Sequence, residues 1–389
     1  MNVLIVSPQF PSPALPLNGT TDSAFLTHLP RFGIKPRVVV PLPIWRSPLH
    51  GAVRQIPALE QSGGAAVVHP RYIGLPQRAI NQGYGKSFET WIYRRAISRE
   101  IDRFQAQDDC GILHAHSCVT TGYALLALRR DTPLVVTLHD SDLQSCAENP
   151  RLRHRIVSTL QGANHVVYPS QKLRSIGESL AGPHPSSIIP WGVQSYDNVL
   201  RKEPRSFTVC AVARLVPTKG LDLLIEAFHL LLQSVPDARL KIVGKGPERQ
   251  MLERKIAGYG LDERVKLLGF RPNREAMEHV ATASVFVLPS FVEALGVAYL
   301  EAMSLGVPVI GVRGQGIGDV IRHGENGLLI APRDISAVHD AMLQLARNPT
   351  LTRTMGAAAQ KTFRAGPYAW ERNAAEHADL YKSLLETRD

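Results

Sequence analysis

The sequence predicts an α/β protein built from two doubly wound domains. Three observations carry this. The chain has 389 residues, more than one hydrophobic core usually serves, so two domains of roughly 150–200 residues are expected. Short apolar runs alternate with longer helical patterns along the whole chain, as in a parallel sheet with helical crossovers. The alternation also starts afresh after a charged, proline-containing stretch, NVLRKEPRS at 198–206, which is expected to be a hinge.

In the first half, NVLIVS (2–7), RVVVPL (37–42), AAVVHP (65–70), ILHAH (112–116), LVVTLH (134–139), HVVYPS (165–170) and SIIPWG (187–192) read as strands. Val and Ile dominate and polar alternation is missing, the pattern of parallel strands covered on both faces. Stretches 83–105 and 118–130 read as helices between them. In the second half the strands are FTVCAVARL (207–215), ARLKIVGKG (238–246), ERVKLLGF (263–270), ASVFVLPS (283–290), GVPVIGV (306–312) and GLLIAP (327–332). GLDLLIEAFHLLLQSV (220–235) is an amphipathic helix, and the tail at 367–386 is helical. No short repeat is present.

Composition narrows the class. The net charge of +10 favours anionic partners such as nucleotides, nucleic acid or an anionic membrane surface; a solvated basic surface is the bland reading. Cys110, Cys118, Cys146 and Cys210 form no C-x-x-C pair, so they are expected to be reduced thiols in a cytosolic protein. MNVLIVSPQF lacks a basic leader and a cleavage site, and is expected to be a first strand rather than a signal peptide. No apolar run reaches the roughly 18 residues of a membrane span, so any membrane contact is expected to be peripheral.

Ligands of doubly wound sheets bind beyond the carboxyl ends of the strands, and with two such domains the expected site is the cleft between them. Arg214 lies at a strand end and Lys219 in the loop that opens the next helix. Two cations beside helix amides suit a diphosphate, although the segment is not a G-x-x-x-x-G-K-[ST] loop. Gly244 and Gly246 follow a strand, and fit either close approach to a ligand or a plain tight turn. Two readings stand for Glu293 and Glu301, which sit in the mostly apolar SFVEALGVAYLEAM. Ser290-x-x-Glu293 is a capping-box pattern, and Glu301 fits a partly exposed helix face. Alternatively, the amides of Leu295, Gly296 and Val297 bind an anion at a helix start, with the two glutamates on groups either side of it.

EALGVAYLEAMSLGVPVIGV resembles the E-x7-E segment and following G-x-P-V strand of the retaining glycosyltransferases of family 4. VARLVPTKGLDLLIEAF, IVGKGPER and VKLLGFRPN occur in that family's order. NVLIVSPQFPSPALPLNGT, ILHAH, LVVTLHDSD and IIPWGVQ resemble its N-terminal motifs, and YAWERNAAEHADLYKSLL its closing helices. The resemblance covers nearly the whole chain. It implies the GT-B fold: a Rossmann-like acceptor domain at 1–200, joined by the tail helix at 368–389, facing a Rossmann-like nucleotide-sugar domain at 201–367. It implies a metal-independent hexosyltransferase without cofactor, taking a UDP- or GDP-sugar and a glycan or polyprenyl-diphosphate-linked acceptor in bacterial surface-polysaccharide synthesis.

Carried over, Arg214 and Lys219 hold the donor diphosphate and Glu293 the donor sugar. The 295–297 amides bind phosphate or sugar oxygens, Glu301 the ribose, and Gly244, Phe270 and Arg271 border the nucleotide. Gly19 approaches the diphosphate from the other domain. His139, with His116 and Asp140, lies on the acceptor side. The chain departs from the family where Ala294-Leu295 replaces Pro-Phe, Asp140 replaces Gly, Trp191 and Gln194 replace Asn and Asp, and Asp319 replaces Glu.

Rival readings are few. Asp140-Ser141-Asp142 is a D-x-D of the kind that binds a divalent metal in the other major glycosyltransferase fold; the cations already present and the two-domain pattern oppose it. Residues 71–104 mix Arg and Lys with Tyr, Trp and Phe; this suits an anionic membrane face or single-stranded nucleic acid, and equally a plain helix with a solvated basic side and an apolar core side. With the lipid-linked acceptor that the resemblance implies, the expected partner is the cytoplasmic face of the membrane and no nucleic acid. An oxidoreductase would need G-x-G-x-x-G after its first strand, which is absent. A non-catalytic nucleotide-sugar or glycan-binding protein on the same fold is the alternative function.

Overall fold

The computed structural model describes residues 1–8, 10–11, 20–44, 56–74, 86–107, 111–139, 143, 150–194, 196 and 198–387. The chain divides into two compact units, Met1–Gly192 with Trp370–Asp389, and Val193–Ala369.

The first unit contains β1 (Asn2–Val6), β2 (Lys35–Val39), β3 (Leu42–Pro43), β4 (Leu59–Ser62), β5 (Ala65–Val68), β6 (Arg71–Tyr72), β7 (Ile112–His116), β8 (Leu134–Thr137), β9 (His165–Tyr168) and β10 (Ser186–Ile188). Its helices are α1 (Thr20–His28), α2 (Lys86–Gln105), α3 (Tyr123–Leu128), α4 (Pro150–Gly162), α5 (Gln171–Ala181) and, from the end of the chain, α12 (Trp370–Glu386). The main sheet runs β10-β9-β8-β7-β1-β2-β5-β4. Every pair is parallel except β4 with β5. The Val- and Ile-rich runs became strands because both faces are covered: β7 and β8 are buried at every position. The sequence reading missed β4, whose LEQS is half-buried to exposed, the polar character of a sheet edge. The helix expected over 83–105 is described from Lys86 to Gln105 as α2, residues 83–85 lying outside the described residues, and Arg71 and Tyr72 pair with β3.

The second unit contains β11 (Thr208–Val212), β12 (Arg239–Val243), β13 (Val265–Gly269), β14 (Val285–Val287), β15 (Val309–Val312) and β16 (Gly327–Ile330). Its helices are α6 (Leu221–Leu231), α7 (Arg249–Gly258), α8 (Asn273–Ala281), α9 (Val297–Ser304), α10 (Ile335–Arg347) and α11 (Pro349–Ala365). The all-parallel order is β13-β12-β11-β14-β15-β16. Local chemistry sets the helix starts. Asp334 accepts from the Ala337 amide at 2.9 Å and Asn348 from the Leu351 amide at 3.0 Å, with Pro349 in the first turn; each cap satisfies an amide that has no intrahelical partner.

The expected boundary at 200 moves to 192. Val193 N–H donates to Tyr368 O at 2.7 Å, and the Arg201 guanidinium donates to Ala281 O and Ala283 O at 2.8 and 2.6 Å. The charged stretch expected as a hinge is therefore anchored to the second unit. Trp370, Ala374, Ala378 and Tyr381 of α12 lie in one core with Val3, Ile5 and Phe25. Of the four cysteines, Cys118 and Cys210 are buried; Cys110 and Cys146 lie outside the described residues.

This core encloses histidines. His114 Nδ1 lies 2.6 Å from Tyr381 Oη and its Nε2 2.8 Å from Thr137 Oγ1. His377 Nδ1 lies 2.9 Å from Asn373 O, and its ring packs 4.7 Å from that of Phe25. Burial, and secondarily His116, His377 and His139, holds His114 well below its usual range, and burial brings His377 down to about 4. Folding thus disfavours the protonated forms. Stability is complete above the unfolded value near 6.5 and falls as pH drops towards 4, because the unfolded chain takes up the protons first. Melting temperature should fall progressively from pH 6.5 to 4, His377 alone contributing about 3 kcal/mol to the loss. His377→Gln should flatten the profile, which pH-dependent thermal melts check.

Candidate active site

In each sheet the winding direction reverses once. In the second unit the chain runs outward from β11 through β12 to β13, then returns to place β14 on the other side of β11. The loops after β11 and β14 consequently diverge from one crevice, the position where doubly wound sheets bind ligands. In the first unit the reversal lies between β1 and β7.

Three loops meet at the crevice of the second unit. The loop after β11 carries Arg214 and the turn Pro217–Lys219, closed by Gly220 with φ 62°. A Cβ on Gly220 would lie 2.5 Å from Pro289 O, so only glycine permits this approach of the β11 and β14 loops. Thr218 O accepts from the Phe291 amide at 3.1 Å and from Ser290 Oγ at 3.2 Å. Lys219 Nζ and Glu293 Oε2 then meet at 2.6 Å, with side chains only 20% and 15% exposed. The loop after β15 adds the third side. Gln315 Oε1 accepts from the Glu293 amide at 3.0 Å, and Gly316 N–H donates to Glu293 O at 3.2 Å.

The capping box does not form. Ser290 Oγ bonds Thr218 O and Val292 O rather than an amide of α9. The helix begins only at Val297, after Gly296 at φ 90°. Glu293 is therefore a loop residue ahead of the helix, and Glu301 is one turn in. Leu295, Gly296 and Val297 do open the helix as expected, and the Tyr299 ring beneath Gly296 leaves no room for a Cβ there.

Glu301 is not on an exposed face: it is 8% exposed, among the buried Tyr299, Leu300, Ala302 and Met303. Its Oε1 accepts from Asn273 Nδ2 and Tyr196 Oη, each at 2.8 Å. Burial raises the carboxyl, while the bonds from Asn273 and Tyr196 favour its ionised form.

Arg214 is exposed at the end of β11. Gly244 has φ 148°, and its Cβ would lie 1.8 Å from Ala213 O. The glycine thus permits close approach of the β12 loop to the β11 loop. Between the glycines, Lys245 lies 5.0 Å from the Phe270 ring centroid. Phe270 is 42% exposed, and Arg271 beside it is exposed. The sequence reading missed Lys245, Gln315, Asn273 and Tyr196. Lys245 was legible as a cation between two glycines; the others had no local signal.

In the first unit, His116 ends β7 and His139 follows β8, their rings 5.6 Å apart. Trp191 lies 5.2 Å from His139. His116 and Trp191 line a small cavity with Phe25, Thr137, Asn373 and His377. Gly19, Asp140 and the D-x-D at 140–142 lie outside the described residues.

Both halves of the chain match family models: Glycosyltransferase Family 4 over residues 24–195 and Glycosyl transferases group 1 over residues 193–362. The chain belongs to the family 4 glycosyltransferases. It is 35% identical over 191 residues to the GDP-mannose-dependent alpha-(1-6)-phosphatidylinositol monomannoside mannosyltransferase of Mycolicibacterium smegmatis, covering 47% of this chain and 50% of that one. It is 26% identical over 308 residues to N-acetyl-alpha-D-glucosaminyl L-malate synthase of Bacillus anthracis, covering 75% and 80%. The chain spans about half the length of the first relative. Among solved structures, sucrose-phosphate synthase from Thermosynechococcus elongatus superposes with TM-score 0.77 at 18% identity over 100% of both chains. Anabaena HepE in complex with UDP and glucose superposes with TM-score 0.71 at 19% identity, over 98% of this chain and 100% of that one. These likenesses show the GT-B fold.

The family 4 crevice is sensitive to one backbone contact. A Cβ on Gly316 would lie 1.7 Å from Ala294 O, whereas one on Gly318 meets nothing within 4 Å. Gly316→Ala should cost about 1–3 kcal/mol by displacing the 293–296 loop. Gly318→Ala should cost much less. Urea denaturation of both variants checks this.

Proposed function

We propose that this chain is a retaining, metal-independent hexosyltransferase that uses a nucleotide-diphosphate sugar, with Glu293 at the donor sugar and Glu301 at the ribose. The observation that carries the reading is the Lys219–Glu293 pair at 2.6 Å, held where the sheet reverses, with a second buried carboxylate one turn into the adjoining helix. Arg214, Lys219 and the amides of Leu295, Gly296 and Val297 supply positive potential for the departing diphosphate. Glu293 accepts hydrogen bonds from sugar hydroxyls. The bond from the anomeric carbon to the diphosphate breaks with oxocarbenium-like charge on the sugar. The acceptor hydroxyl attacks the same face and gives its proton to the leaving phosphate oxygen. His116, His139 and Asp140 are assigned to the acceptor. The paired-carboxylate chemistry of glycoside hydrolysis needs two carboxylates flanking one bond, and Glu301 is assigned to the ribose instead. The relatives named as mannosyltransferases and a glucosaminyl malate synthase support a hexose donor, and the acceptor is taken to be a glycan or lipid-linked glycan in surface-polysaccharide synthesis.

A panel of UDP- and GDP-hexoses, assayed with excess EDTA, should identify a donor whose anomeric configuration is retained in the product. Glu293→Gln and Lys219→Ala should each lower turnover by about 10²–10³-fold with the melting transition preserved. Complete, Mg²⁺-reversible loss in EDTA, or near-wild-type turnover of both variants, would overturn the assignment.

A peripheral membrane role on the cytoplasmic face belongs to the same proposal. Phe88 and Trp91 of α2 are 54% and 57% exposed, with rings stacked 5.9 Å apart. Arg95 and Arg99 are exposed at helical spacing beyond them. Aromatic rings beside arginines suit an anionic lipid surface. Flotation with phosphatidylglycerol-containing vesicles should recover the protein at low salt, and Phe88→Ser with Trp91→Ser should abolish recovery. Absence of wild-type binding at low salt would sink this part.

A further inference from the structure

Glu301 is an unusual carboxylate. It is nearly buried in an apolar helix, yet its two hydrogen-bonding partners among the described residues are neutral, Tyr196 and Asn273. A buried carboxylate without a cation beside it is costly, and two charge-assisted hydrogen bonds offset only part of that cost. Both bonds fall on the same oxygen. Tyr196 Oη and Asn273 Nδ2 each reach Oε1 at 2.8 Å, which fixes the plane of the carboxylate; among the described residues no hydrogen bond reaches Oε2.

Both donors precede Glu301 in the sequence, by 105 and 28 residues. Asn273 is the first residue of α8. Tyr196 lies outside any helix or strand, in the segment that follows Gly192 at the unit boundary. Its phenol also contacts Asn273 Oδ1. A phenol has one proton to give, and the ionised carboxylate is the stronger acceptor. Burial and the nearby Glu301 charge raise the Tyr196 phenol far above its usual range, so it remains a donor at any working pH. Were the role only to fill space, a phenylalanine would fill it without a polar group to satisfy.

We infer that Tyr196, with Asn273, is a positioning residue for nucleotide recognition: it holds Glu301 ionised and oriented so that Oε2 accepts a ribose hydroxyl. This deepens the reading of Glu301 given above and rests on it. Tyr196 does not touch the ribose. It sets the carboxylate's rotamer and charge, and so the discrimination between ribonucleotide and deoxyribonucleotide.

The test is calorimetric titration of UDP and GDP, each with its 2′-deoxy and 3′-deoxy counterparts, into the wild type, Tyr196→Phe and Glu301→Gln. The wild type should prefer one ribonucleotide over at least one of its deoxy counterparts. Tyr196→Phe should weaken that ribonucleotide roughly tenfold while changing that deoxy counterpart less than about twofold. Glu301→Gln should narrow the same gap. If Tyr196→Phe binds the ribonucleotide as the wild type does, or loses both ligands equally while Glu301→Gln narrows the gap, the role of Tyr196 is overturned and the ribose assignment stands. If Glu301→Gln leaves the gap unchanged, or the wild type shows no gap or binds neither nucleotide, the ribose assignment falls and the inference with it.

Discussion

The adjacency of β11 and β14 is the constraint from which the second unit's crevice follows. Two parallel strands that are neighbours in space but far apart in sequence end at the same level, and their loops must share the space beyond. Gly220 lets the first loop pass over Pro289 O, and Thr218 O then ties the second loop to it. Only with those contacts made do Lys219 and Glu293, 74 residues apart, come to 2.6 Å. The ion pair is thus a product of sheet order before it is a product of charge. A charged pair with this little exposure is sustained only when both partners arrive together; the backbone bonds from Gly316 and to Gln315 keep Glu293 from leaving.

Glycines in this crevice serve the protein's own backbone. Gly244 and Gly316 are pressed against the carbonyls of Ala213 and Ala294. Each removes a side chain where two loops cross, and each crossing adds rigidity to a loop that would otherwise be free. A loop that must keep its amides pointed at one place benefits from such preorganisation. The same packing explains why the G-x-G after β12 carries little functional signal in sequence: the demand for glycine is met before any ligand is considered.

What the sequence made legible, and what it did not, divides along the range of the interactions. Strands such as ILHAH and LVVT were readable because burial on both faces leaves a local imprint of continuous apolar residues. Lys219, Glu293 and Glu301 were readable as candidates because charge in an apolar run stands out. The partners of Glu301 were not, because Tyr196 and Asn273 are 105 and 28 residues from it and neither sits in a pattern. The capping motif at Ser290 misled for a related reason: it describes four residues, whereas the left-handed Gly296 that delays the helix is set by Tyr299 packing beneath it. The hinge expected at 198–206 failed because composition cannot show that Arg201 finds two carbonyls of a distant loop.

The last helix has a bearing on biosynthesis. Tyr381 supplies a partner to His114, and Trp370, Ala374 and Ala378 complete the core around Val3 and Ile5. The second unit is continuous from Val193 to Ala369. On a chain made from the amino end, the second unit is whole before the first can be. Domains ordinarily form in order of synthesis; here the core around Val3 and Ile5 includes residues made after the whole of the second unit. A nonsense codon near residue 370 would therefore be a lesion of the N-terminal half.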